Sequence, residues 1–96
     1  MAKAKVETTR WDSADYLKTD KDIAEYLDAV IEDGDPALVA HALGVISRAK
    51  GMAAIAAKSG LGRESLYKAL SAEGNPELAT FLKVIRALGL KLRVEA

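Results

Sequence analysis

Residues 52–71 read MAAIAAKSGLGRESLYKALS, and their spacing predicts two short helices joined by a glycine-centred turn. Ile55 and Ala56 precede Gly60 by five and four residues, Leu61 follows it, and Leu66, Ala69 and Leu70 supply an apolar stripe for the second helix. Ala56 stands where the two helices would cross closely and a larger side chain would push them apart. Gly60 can take the positive φ that so short a turn demands. Ile55, Leu61 and Leu66 would then bury the unit against the rest of the domain. The outer face of the second helix is left with Arg63, Glu64, Tyr67, Lys68 and Ser71, which can donate, accept and stack. Such a face suits the major groove of DNA, and the unit reads as a helix-turn-helix. The bland alternative is an ordinary helical hairpin, because the same pattern also occurs in proteins that never touch DNA.

Around this unit the chain has 96 residues, enough for one domain with its own modest core and too few for a second catalytic lobe. Half of the residues are apolar and 29% are charged, which fits a folded soluble chain rather than a disordered one. Without cysteine, disulfides and thiolate metal sites are excluded. No apolar run reaches a membrane-spanning length, and the leader MAKAKVETTR lacks the hydrophobic stretch of a signal peptide, so the expectation is a cytoplasmic protein without a membrane partner. The formal net charge of zero hides an asymmetry. Residues 1–35 carry five Lys/Arg against ten Asp/Glu, net −5, and residues 36–96 carry nine against four, net +5. An acidic front and a basic back point to separate partners, with solvated charged faces as the plain alternative.

Residues 1–18 read as an arm, with Trp11, Tyr16 and Leu17 as apolar anchors that dock it on a single helical domain spanning 19–96. Thr19 with Asp22 has the spacing of a capping box, and Ile23, Leu27, Val30 and Ile31 recur at helical spacing, so a first helix should run from about Asp20 to Asp33 and stop at Gly34. Asp35 then caps a second helix with Pro36 at its first position, and Leu38, Val39, Ala42, Leu43, Ile46 and Ala49 form its expected buried stripe. Gly51 ends it. Gly44 inside this helix costs about 1 kcal/mol relative to Ala, and marks either close approach of a neighbouring helix or a tolerated blemish. Asn75 and Pro76 read as cap and first residue of a fifth helix with the stripe Leu78, Phe81, Leu82, Ile85 and Leu88, ending at Gly89. Leu90, Leu92 and Val94 alternate with Lys91, Arg93 and Glu95, the pattern of a short half-buried strand, which could pair with the N-terminal leader or with the same segment of a second subunit. The expected fold is therefore all-α, five helices with a short C-terminal β-strand.

Two blocks, SADYLKTDKDIAEYLDAVIEDGDPALVAHALGVISRAKGM and SGLGRESLYKALSAEGNPELATFLKVIRALGLKL, carry a resemblance to the addiction-module antidote family, small antitoxins with a helix-turn-helix similar to that of phage Cro and lambda-type repressors. RESLYKAL followed by the GNP loop is the most specific part. The resemblance implies a lambda-repressor-like domain acting as the antitoxin of a type II toxin–antitoxin pair. Such a protein neutralises a toxin similar to the HigB and RelE ribonucleases and represses its own operon. It places the recognition-helix role on Arg63, Glu64, Ser65, Tyr67 and Lys68, and the structural positions of the motif on Ala56, Gly60 and Leu66. The chain departs from the family at Ala53 and Ala54, where polar side chains usually contact phosphate, and at Gly62, where a serine cap is common. Positioning would then fall to backbone N–H groups, Lys58, Tyr67 and Lys68. A stand-alone prophage-type repressor without a toxin partner would present the same motif.

The expected partners are double-stranded operator DNA, the toxin and a second copy of the chain, because such proteins commonly read two half-sites as dimers. Glu64 either accepts from cytosine N4 or simply favours the helix dipole. Lys83 and Arg86 read as a solvated face. No cofactor, metal or catalytic residue is expected, since His41 is the one histidine and no phosphate loop or nucleophile motif occurs. His41, between two alanines, reads as a surface or boundary residue. Ribonuclease toxins must be basic to hold RNA, so the acidic first half is the expected toxin-facing side.

Overall fold

The computed structural model describes residues 17–71 and 75–96, which form α1 (Asp20–Asp33), α2 (Pro36–Lys50), α3 (Met52–Ser59), α4 (Arg63–Ala69) and α5 (Leu78–Ala87). The expected anchors Trp11 and Tyr16 and the loop residues 72–74 lie outside the described residues. α1 starts on a complete capping box: Thr19 Oγ1 accepts from the Asp22 N–H at 3.0 Å, and Asp22 Oδ2 accepts from the Thr19 and Lys18 N–H groups at 3.2 and 3.3 Å. Thr19→Ala should lower thermal stability by the equivalent of about 1 kcal/mol, read by calorimetry; an unchanged midpoint would mean that water caps α1 equally well. Gly34 ends α1 in the left-handed conformation, and Asp35 Oδ1 then accepts from the Ala37 N–H at 3.0 Å, with Pro36 in the first turn of α2.

The chain bends by 109° between α2 and α3 at Gly51, and turns again at Gly60, whose φ of 79° is the positive value that the turn after α3 requires. The Gly60 N–H donates to the Ala56 and Ala57 carbonyls, while the Ser59 hydroxyl donates to the Ala56 carbonyl and accepts from the Leu61 N–H. Packing runs from α1 onto α2, from α2 onto α3, and from α3 onto both α4 and α5. A single cluster of buried side chains from Leu17 to Leu88 joins the five helices.

α2 differs from its expected one-sided stripe. Ala40 and all residues from Ala42 through Ser47 are buried, whereas Leu38 and Ala49 are exposed. Six successive positions span more than one full turn, so the middle of α2 is enclosed on every side and its ends are not. Within it, a Cβ on Gly44 would stand 2.9 Å from the backbone carbonyl oxygen of Leu70, immediately after α4. Gly44 is therefore the place where the end of α4 meets α2. Ser47 is fully buried and its hydroxyl has no hydrogen-bond partner among the described residues, a cost that the packing around it must offset. Ile31, expected in the stripe of α1, is exposed as well.

α5 begins two residues later than expected. Asn75, Pro76 and Glu77 precede it outside any helix, and Glu77 is its extended first cap without a side-chain hydrogen bond. The φ that proline imposes serves extended chain and helix alike, so Pro76 could not by itself mark the first turn. Val84, absent from the expected stripe, is fully buried with Ile85 and Leu88; Leu78 is 71% exposed, Leu82 is also exposed and Phe81 is half-buried. Residues 90–96 form no strand among the described residues, and residues 1–16 of the leader they could pair with lie outside them. Leu90 donates its N–H to the Ile85 carbonyl at 3.1 Å, and no backbone hydrogen bond follows it among the described residues. A single strand has nothing to ladder with.

Candidate nucleic-acid interface

Leu66 explains how α4 presents its outer face. Its side chain is fully buried, Leu70 is nearly so and Ala69 is half-buried, while Arg63, Glu64, Ser65, Tyr67 and Lys68 are all exposed. The Arg63 guanidinium carbon lies 5.9 Å from the centre of the Tyr67 ring, one helical turn on, a weak cation–π contact that lays the cation along the helix surface. Tyr67 itself is 46% exposed, leaving ring and hydroxyl accessible. α4 enters from Gly62 in an extended conformation without a side-chain cap; the Gly62 carbonyl accepts from the Leu66 N–H at 2.9 Å. At the other end the Ser71 hydroxyl donates to the Lys68 carbonyl.

Lys58 is placed differently from the other candidate residues. It faces α5, where Lys58, Ser59, Leu82, Lys83, Arg86 and Ala87 line a shallow groove of about 340 Å³. Lys83 and Arg86, read from sequence as a solvated face, are indeed exposed, and with Lys58 they make a patch of three cations at the α3–α5 junction. Sequence reasoning gives Lys58 a positioning role beside Tyr67 and Lys68, and its place beside α5 is set by the α3–α5 packing rather than by local spacing. Ala53, Ala54 and Ala57 are exposed, so the outer surface of α3 offers little side-chain chemistry. His41 is exposed.

A second surface escaped the sequence reading. Glu25, Asp28 and Glu32 on α1 share a groove of about 720 Å³ with Ile31 and with Leu90, Lys91, Leu92 and Arg93. The i, i+3, i+7 spacing of the three acids is the signal that could have shown them on one face. Lys50 Nζ reaches Asp20 Oδ1 at 3.0 Å, an exposed pair that ties the end of α2 to the start of α1 with small energetic weight. Among the described residues no group of three or more His, Asp or Glu side chains is placed to hold a metal ion, and no single helix is long and apolar enough to cross a membrane.

A family model described as "Probable addiction module antidote protein" matches residues 7–96. The chain is also 42% identical over 85 residues to a protein of Haemophilus influenzae (strain ATCC 51907 / DSM 11121 / KW20 / Rd) described as "Uncharacterized protein", the match covering 88% of each. No solved structure matches it significantly.

Proposed function

The chain belongs to the addiction-module antidote family, and from that premise we propose that it is the antitoxin of a type II toxin–antitoxin pair that also represses its own operon through α4. The observation that carries the DNA side is the outer face of α4, five exposed polar or aromatic residues on a helix seated by the fully buried Leu66. Arg63 and Lys68 supply donors for guanine edges or phosphates, Tyr67 a ring and hydroxyl for backbone or a thymine methyl, and Glu64 an acceptor. Ser65 adds a hydroxyl that can serve either. Lys58 contributes from the α5 side, as a phosphate contact with Lys83 and Arg86.

The test is a gel shift on the protein's own promoter across salt concentrations. A base-reading Arg63 predicts that Arg63→Ala costs about 1–3 kcal/mol of operator affinity and relaxes preference at one base pair. Equal weakening on every sequence would make it a phosphate contact, and a wild-type protein without any sequence-preferring shift would remove the repressor role.

On the protein side we propose a HigB- or RelE-like ribonuclease toxin in the cytoplasm, met by the acidic face of α1. Glu25, Asp28 and Glu32 stand exposed on that face, and a nuclease that must hold RNA carries the opposite charge. Co-expression with the adjacent reading frame, followed by co-purification and a toxicity assay, tests this. Failure to co-purify or protect, with operator binding intact, would favour a stand-alone prophage-type repressor. A homodimer completes the reading, because two copies of α4 are what two half-sites require.

A further inference from the structure

Residues 90–96 have the composition of a strand and join no strand among the described residues. Their side chains alternate apolar and charged, the backbone beyond the Leu90 N–H makes no hydrogen bond among the described residues, and Leu92 and Val94 are 48% and 99% exposed. An open edge with exposed β-branched and aliphatic side chains is a template for another strand. The charges on this edge identify which one.

We infer that residues 90–96 pair antiparallel with the same residues of a second copy across a two-fold axis at Arg93, forming a two-stranded ribbon between subunits. In that register Lys91 stands opposite Glu95 of the second copy, and by symmetry Glu95 stands opposite Lys91, so one strand satisfies both pairs by meeting itself. Leu92 meets Val94 on the other face, twice, and the exposed apolar surface of both is covered. The one like-charge meeting is Arg93 with its own copy. Each Arg93, like Lys91 and Glu95, lines the groove that holds Glu25, Asp28 and Glu32, which offers that cation acidic company. Shifting the axis to Leu92 would set Lys91 against Arg93. Shifting it to Val94 would pair Arg93 with Glu95 but set Leu92 against Ala96, so that Leu92 and Val94 no longer cover each other.

The ribbon gives the proposed homodimer its interface. It stands apart from the DNA reading, because association is measured without DNA. The experiment is sedimentation equilibrium on the full chain and on Lys91→Glu, Glu95→Lys and the double exchange, with helix content checked by circular dichroism. Wild type should be a dimer. Each single change turns two attractive cross-strand pairs into repulsive ones and should raise the dimer dissociation constant by about tenfold; the double exchange should restore it. The changes lie outside every helix, so helix content should not move. A monomeric wild type would overturn the proposal, as would single variants that associate like wild type. Lys91→Glu without effect beside a weakened Glu95→Lys would overturn the Arg93-centred register, and so would a double exchange no tighter than the singles.

Discussion

Leu66→Ala is expected to lower the free energy of unfolding by about 2–5 kcal/mol, the range for truncating a fully buried leucine whose cavity closes only in part. That is a large share of the roughly 5–15 kcal/mol by which a domain is stable. Leu66 is 0% exposed at the centre of a seven-residue helix. A helix so short does not hold itself together in water and exists here because this side chain seats it. Urea titration provides the check: the midpoint should fall with little change in slope. A loss below about 1 kcal/mol would mean that the site collapses almost completely and that α4 is held mainly by Leu70.

Gly44→Val is the second. Helix propensity alone favours replacing a mid-helix glycine by alanine, by about 1 kcal/mol, and by valine, by less. The structure reverses the sign. A Cβ at position 44 meets the Leu70 carbonyl oxygen at 2.9 Å, and that atom is backbone, so the end of α4 must move rather than a flexible side chain. Overpacking of this kind costs about 1–3 kcal/mol, and the added methyl groups of valine put it at the upper end. Gly44→Val should therefore lose about 2–3 kcal/mol net and Gly44→Ala about 1. Thermal denaturation of the two variants beside wild type measures both. If Gly44→Ala melts higher than wild type, the contact with Leu70 is loose and the glycine is a tolerated blemish after all.

The ends of helices were largely legible in the sequence because their signals are local. The Thr19–Asp22 box, the Asp35–Pro36 start and the glycines at 34 and 60 act within a few residues of themselves, and the structure realises each of them. The start of α5 was not, because Asn75 and Pro76 are equally at home in an extended approach, and the packing of Val84, Ile85 and Leu88 fixes where the first hydrogen-bonded turn forms. The outward face of α4 was legible from the spacing of Leu66, Ala69 and Leu70. The partners of that face were less so: Lys58, near in sequence, turns to α5.

By itself, then, the sequence determined five helices, most of their caps, the turn at Gly60 and which side of α4 is polar, since backbone conformation and a helix's own periodicity depend on neighbours within about one turn. The tertiary structure decided that α2 is enclosed all round, that Gly44 makes room for the carbonyl of Leu70, and that three acids of α1 share a groove with Leu92 and Arg93. Those outcomes depend on which faces meet, and that is set by packing between residues tens of positions apart, which no local spacing encodes. The alternation over residues 90–96 belongs to neither level. It is a local preference for a strand, and only a second strand can complete it.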